Sequence, residues 1–157
     1  MNRLALHELH QEFGAQFTTV NGAEVVAHYG DAAAELAALR NTVGVLDLSC
    51  RSRLCLTGAD RVKFLHGQVT NDVQRLRVGE GCYAALVTSK GRMQADVNIH
   101  ALPDELLLDL EPGLTTEIQQ RLAELAMEAT PITFEQLPYL LAAGIKNVTT
   151  GVRLTAT

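Results

Sequence analysis

Between residues 79 and 110 three runs rich in aliphatic residues are separated only by short turn-forming stretches, a pattern that commits the chain to an antiparallel meander. The runs cover residues 82–88, 93–102 and 105–110, with turns at 89–92 and at Pro103-Asp104. Upstream, β-branched residues on both sides of Asn21-Gly22 predict a hairpin over 17–27, because that dipeptide tolerates the positive φ angles of a tight turn. Asp31 caps a predicted helix over 32–41, with Gly44 just past its end, and the spacing of Leu36, Leu39 and Val43 directs those side chains to the core. Two short strands are expected at 45–49 and 53–57. A helix then opens at 58–60 and runs to Val69 along a Val62, Leu65, Val69 stripe, ended by Thr70-Asn71-Asp72. Pro112-Gly113 breaks the sheet before a third helix over 115–127, with Ile118, Leu122 and Leu125 on one face and Thr115 or Thr116 as its cap. One more strand is expected at 131–134; the periodicity of 135–157 is weak. Helices interspersed with antiparallel strands, without regular βαβ alternation, give an α+β fold with a mixed or antiparallel sheet and about three helices.

Length and composition bound the function. At 157 residues one domain is expected over the whole chain, and the longest apolar runs, such as 106–108, fall far short of a bilayer crossing. The first ten residues have only Arg3 as a basic residue and no apolar stretch before a cleavage site, so the expected location is the cytoplasm. Thirteen basic residues against eighteen acidic ones give a net charge of −5 with no basic stripe, which argues against duplex nucleic acid and membranes as partners. Cys50, Cys55 and Cys82 form no C-x-x-C pair and read as small apolar residues in strands. The five histidines are dispersed. His7 and His10 stand three apart in a segment expected to be solvated, which is a poor start for a metal site. No phosphate loop, dinucleotide fingerprint, H-E-x-x-H or G-x-S-x-G is present, so generic motifs assign no chemistry.

A series of short motifs in fixed order carries the reading further: Tyr29-Gly30-Asp31 before a helix, Gly44-Val45-Leu46-Asp47-Leu48-Ser49, Leu56-Thr57-Gly58-Ala59-Asp60-Arg61-Val62, Thr70-Asn71-Asp72, and Gly81-Cys82-Tyr83 leading to Lys90-Gly91-Arg92. Over roughly residues 20–128 the chain resembles the amino-terminal folate-binding domain of the superfamily of YgfZ-like proteins and glycine-cleavage T-proteins. The resemblance implies a tetrahydrofolate pocket in a larger molecule. It also implies one-carbon, aminomethyl transfer in the T-protein branch, and iron–sulfur cluster maintenance or tRNA modification in the YgfZ-like branch.

Folate needs a carboxylate for its pterin edge, an aromatic surface and a cation for its glutamyl tail. Asp96 or Asp72 supplies the first, Tyr83 the second, and Arg53 or Arg92 the third; the binding set expected is Asp72, Tyr83, Arg92 and Asp96. Each has a plainer role open to it: Asp72 as a turn or cap acceptor, Tyr83 as a core residue with a wet hydroxyl, Arg92 as a solvated turn residue. In the T-protein pattern the acid important for transfer lies four residues past the turn glycine, a place held here by Ala95. Because successive strand residues face opposite sides, Asp96 would point away from that acid's side unless a bulge restored the register. On that ground, and because the Gly-Arg-Met-x-Ala-Asp form of residues 91–96 more closely resembles the YgfZ-like branch, that branch is preferred, without autonomous catalysis, over an aminomethyltransferase fragment. The later K-G-C-x-G-Q-E motif of that branch is absent, and Cys82, followed by Ala84-Ala85-Leu86, does not replace it. Residues from about 135 are expected to be a linker to a further carboxyl-terminal part. A third reading is a domain without ligand that serves interaction or self-association.

Overall fold

Asn21 and Gly22 take φ angles of 49° and 80°, the left-handed pair that a two-residue hairpin turn requires. They join β1 (Gln16–Val20) to β2 (Ala23–His28), antiparallel, where the sequence predicts a hairpin. The computed structural model describes residues 3–126 and the strand at 133–136. Two compact units divide the chain after Cys50.

The first unit adds two helices to the hairpin. Helix α1 (His7–Glu12) lies in the segment expected to be solvated, yet His10 is buried. Helix α2 (Ala32–Asn41) starts at Asp31, whose Oδ1 accepts from the amides of Ala33 and Ala34, both at 3.0 Å. Leu36, Leu39 and Val43 do not reach a core: all three are exposed, Leu39 by 64%, and α2 buries no residue. Helical spacing reports an amphipathic surface and is silent on what covers it. Residues 45–49 join no ladder; side chains at Asp47 and Ser49 hold this stretch instead.

The second unit is built on one five-stranded antiparallel sheet in the order β4-β5-β6-β3-β7. The expected meander is present as β4 (Gly81–Val87), β5 (Met93–Ala101) and β6 (Glu105–Leu110), with β3 (Ser52–Thr57) beside β6. At the far edge, β7 (Thr133–Gln136) pairs with β3, two residues later than predicted. Gly91, at φ 73°, turns the chain between β4 and β5.

One face of this sheet is dry. Leu54, Leu56, Leu86, Val97, Ile99, Leu106, Leu108 and Leu110 pack with Leu65 of α3 (Arg61–His66) and with Ile118 and Leu122 of α4 (Thr115–Ala126). Leu125, the third member of the expected α4 stripe, is about half exposed. Helix α3 ends before the predicted Val69 because the chain turns to run beside β4. The Thr70 amide donates to Ala85 O at 3.0 Å, and Val87 N donates to Gln68 O at 3.2 Å. That second row covers an edge strand that would otherwise present unpaired amides. Cys55 is buried in β3, while Cys82 in β4 and Cys50 outside any strand are half-buried; none is in a disulfide. Of the predicted tail, residues 135–157, the first two close β7 and 137–157 lie outside the described residues, as does Met127. Among the described residues no helix is long and apolar enough to cross a membrane.

Candidate functional site

Strand alternation sends every second residue of the sheet to the face opposite the dry core. The register aligns Tyr83 of β4 with Asn98 of β5, Asn98 with Asp109 of β6, and Asp109 with Arg53 of β3, so one polar row crosses four strands. Asp96 lies on the same face, diagonal to Tyr83, and accepts a hydrogen bond from its hydroxyl at 3.1 Å.

A bulge decides which residue of β5 reaches this face. Leu86 opposes Ala95 but Val87 opposes Met93, so Gln94 is the extra residue and the register shifts just before Ala95. Ala95 then enters the dry core, only 4% exposed, while Asp96 joins Tyr83. Alternation from the turn left Asp96 on the other side unless a bulge restored the register; the bulge is present, and it puts Asp96 rather than Ala95 on the face that holds Tyr83. A carboxylate at position 95 would be buried among leucines and valines.

The charges around this row are organised. Arg51 donates through Nε to Asp109 Oδ2 at 2.9 Å and through Nη1 to Glu111 Oε1 at 2.6 Å. Burial pulls the Arg51 guanidinium down, but Asp109 and Glu111 outweigh it and hold the group above its ordinary range. The Tyr83 phenol is raised, first by its hydrogen bond to Asp96 and by that carboxylate's charge, then by slight desolvation and Glu111, with Arg51 opposing. Tyr83 is 63% exposed, so it is neither the core residue that the plainer reading offered nor shielded from a ligand.

The other two expected site residues stand apart from this pair. Asp72 accepts from Gln74 N at 3.2 Å to cap a short 3-10 turn (Val73–Arg75), and from Arg75 Nε at 2.9 Å, with His66 Nδ1 at 3.5 Å. It is the turn acceptor that its sequence context allowed. Its neighbour Asn71 donates to Tyr83 O at 2.9 Å, so the loop still braces the aromatic residue. Arg92 sits exposed in the β4–β5 turn, and its side chain has no partner among the described residues. The structure adds Arg51, Asn98, Asp109 and Glu111 to the face. The sequence reading named none of these; alternation could have found Asn98, two residues after Asp96, and Asp109 within Leu108-Asp109-Leu110, whereas nothing in the sequence singles out Arg51.

In the first unit a second polar network forms. His10 bridges Tyr29, at 2.6 Å through Nδ1, and Asp47, at 3.0 Å through Nε2. Asp47 also accepts from the amides of Ser49 and Leu6. Burial raises the Asp47 carboxyl, but the Ser49, His10 and Leu6 hydrogen bonds outweigh it and hold it below the ordinary aspartate range. Glu24 behaves alike: burial is overcome by His7 Nδ1 at 2.6 Å and the Leu4 amide at 3.2 Å. His7 and His10 thus each engage a carboxylate, and among the described residues no cluster of three or more His, Cys, Asp or Glu is arranged to hold a metal ion.

The GCVT N-terminal domain family matches residues 6–137. An aminomethyltransferase of Corynebacterium jeikeium is 31% identical over 108 residues, which cover 69% of this chain and 28% of that protein. A probable aminomethyltransferase of Halobacterium salinarum is 33% identical over 98 residues, 62% of this chain and 27% of the relative. The aminomethyltransferase of Thermotoga maritima is 30% identical over 109 residues, 69% of this chain and 30% of the relative. The chain thus spans about three-tenths of the length of these relatives. The crystal structure of aminomethyltransferase T of the glycine cleavage system from Bartonella henselae has the same fold over 87% of this chain and 38% of that one, with a TM-score of 0.75 at 22% identity.

Proposed function

From the premise that the chain belongs to the GCVT N-terminal domain family, we propose that it is the folate-binding portion of an aminomethyltransferase of the glycine-cleavage type. The observation that carries this reading is the Tyr83–Asp96 pair on an accessible sheet face, with Ala95 withdrawn into the core. The preference for the YgfZ-like branch drew on position 95 and on the Gly-Arg-Met-x-Ala-Asp form; the bulge bears on the first, and the matched relatives, which carry the aminomethyltransferase name, favour the other branch.

The residues fit a reduced folate. The Asp96 side chain can accept hydrogen bonds from pterin N–H donors and favour positive charge on a nearby amine, and the Tyr83 ring offers a flat apolar surface. The folate itself would supply the acceptor for the one-carbon unit. Arg51 pairs with both Asp109 and Glu111, so that Asp96 meets a ligand beside one net negative charge rather than two bare acids. Arg92, exposed and without a partner among the described residues, remains suited to a glutamyl carboxylate.

Calorimetric titration with 5-formyltetrahydrofolate tests the proposal. The chain gives saturable heat, and Asp96→Asn weakens binding by at least about tenfold, the loss expected of one charge-assisted hydrogen bond. No heat or thermal shift at about 1 mM ligand contradicts it.

A specific observation also favours an interaction surface. Leu36, Leu39, Val43, Val45 and Leu46 are all exposed, Val45 by 93%, which is more adjoining apolar side chains than a short stretch of monomer surface usually shows. Sedimentation of the purified chain separates the cases: self-association that Leu39→Glu with Leu46→Glu abolishes supports this second reading, and a clean monomer removes it.

A further inference from the structure

A cleft of about 430 Å³ opens between the end of α3, the β4–β5 turn and the carboxyl-terminal half of α4. It is lined by Gly67, Gln68, Val87, Thr88, Ser89, Arg121 and Leu125, and shares no residue with the Tyr83–Asp96 row. Its volume falls in the range of pockets that take small molecules rather than bare ions.

Among the described residues the lining contains one charged side chain, Arg121, and no carboxylate. Arg121 Nη2 donates to Val87 O at 2.6 Å, which fixes the guanidinium against the end of β4. Its Nη1 is buried and has no hydrogen-bond partner, and Arg121 makes no ion pair among the described residues. Glu124, one turn along the helix, is engaged by Gln120 Nε2 at 3.2 Å. A buried guanidinium N–H without an acceptor is costly unless something supplies one. Ser89 adds a hydroxyl to the rim, and the exposed Lys90 and Arg92 that follow in the same turn make the local potential positive. Val87 and Leu125 give the rest of the cleft an apolar wall.

We propose that this cleft binds a small organic oxyanion, a carboxylate or a phosphate ester with an apolar portion, through Arg121. The Val87 carbonyl takes one of the guanidinium's five N–H donors, and a small side-chain rotation that uncovers the unpaired Nη1 leaves a charged donor for either acid. The apolar wall selects an organic acid over inorganic anions.

Amide chemical shifts of the full chain, titrated separately with phenyl phosphate, benzoate and inorganic phosphate at constant ionic strength, test this assignment. Saturable shifts at Gly67, Gln68 and Ser89 are expected with a dissociation constant on the order of 1 mM for at least one organic acid, and about tenfold weaker for inorganic phosphate. Phenyl phosphate winning over benzoate identifies a phosphate ester; the reverse identifies a carboxylate. Arg121→Gln abolishes the shifts. Because that change also removes the bond to Val87 O, Ser89→Asp serves as the second variant. It places a negative charge at the rim without touching α4, and should weaken binding by about tenfold at an unchanged melting temperature. Shifts that persist in both variants, or no saturation with either organic acid, overturn the proposal. Titration of Asp96→Asn keeps the two sites distinct: the oxyanion shifts survive there even if folate binding is lost, or was never present.

Discussion

The second unit buries a continuous set of leucines, valines and isoleucines on one sheet face, whereas the first buries Leu4, Ala15 and Ala23 together with two ionisable groups, His10 and Glu24. One unit is held by apolar area, the other by a few directed hydrogen bonds around Asp47 and Glu24. The difference matters because area is indifferent to pH and tolerant of small shifts in geometry, while a buried hydrogen-bonded carboxylate depends on both. It also separates two uses of the chain's surface: the dry core frees the opposite sheet face for polar chemistry, and the polar network leaves the apolar side chains of 36–46 facing outward.

Breaking each unit by its own logic should expose the contrast. Leu108→Ala removes a fully buried side chain and should cost about 2–5 kcal/mol in urea unfolding, while the same change at exposed Leu39 should stay within about 0.5 kcal/mol. If the two changes cost the same, the contrast fails. Asp47→Ala deprives His10 Nε2 and the Leu6 and Ser49 amides of their acceptor and should cost about 1–3 kcal/mol, read as faster hydrogen exchange in residues 5–12 with β4, β5 and β6 unaffected.

Acid sharpens the same contrast. Glu24 and Asp47 are held below their ordinary values in the folded chain, so the stabilisation they give is complete above the unfolded carboxylate values and fades as pH falls through the lower folded ones. The first unit should therefore lose ordered amide signals below about pH 4 while the β4–β6 signals persist. Equal loss in both units would contradict the assignment of these carboxylates. The smallest effect is spectroscopic: Asp96→Asn should let the Tyr83 phenol ionise at lower pH than in the parent chain, seen by absorbance in alkaline titration, with no change in melting temperature.

Much of this was legible in the sequence where local chemistry decides the outcome. Asn21-Gly22 set the hairpin, Asp31 capped α2, and the apolar runs of the meander fell within one residue of the observed strands. What the sequence could not supply depended on contacts far along the chain. The burial of His10 comes from Tyr29 and Asp47, and the ordering of Arg51 comes from Asp109 and Glu111. Tyr83 and Asp96 were both named in advance for a ligand role, but their meeting was not, because it hangs on an extra residue at Gln94 that no periodicity announces. Two-residue alternation counted on from Gly91 turned Asp96 away unless a bulge intervened, and only the fold shows that one does.

That bulge is the hinge of the whole account, and paired urea unfolding of Ala95→Asp and Asp96→Ala tests it directly. With Ala95 in the core and Asp96 on the polar face, Ala95→Asp should cost on the order of 3 kcal/mol or more, and Asp96→Ala less than about 1 kcal/mol. An Ala95→Asp chain as stable as the parent, beside an Asp96→Ala chain that unfolds readily, would put the acid's place at 95 after all.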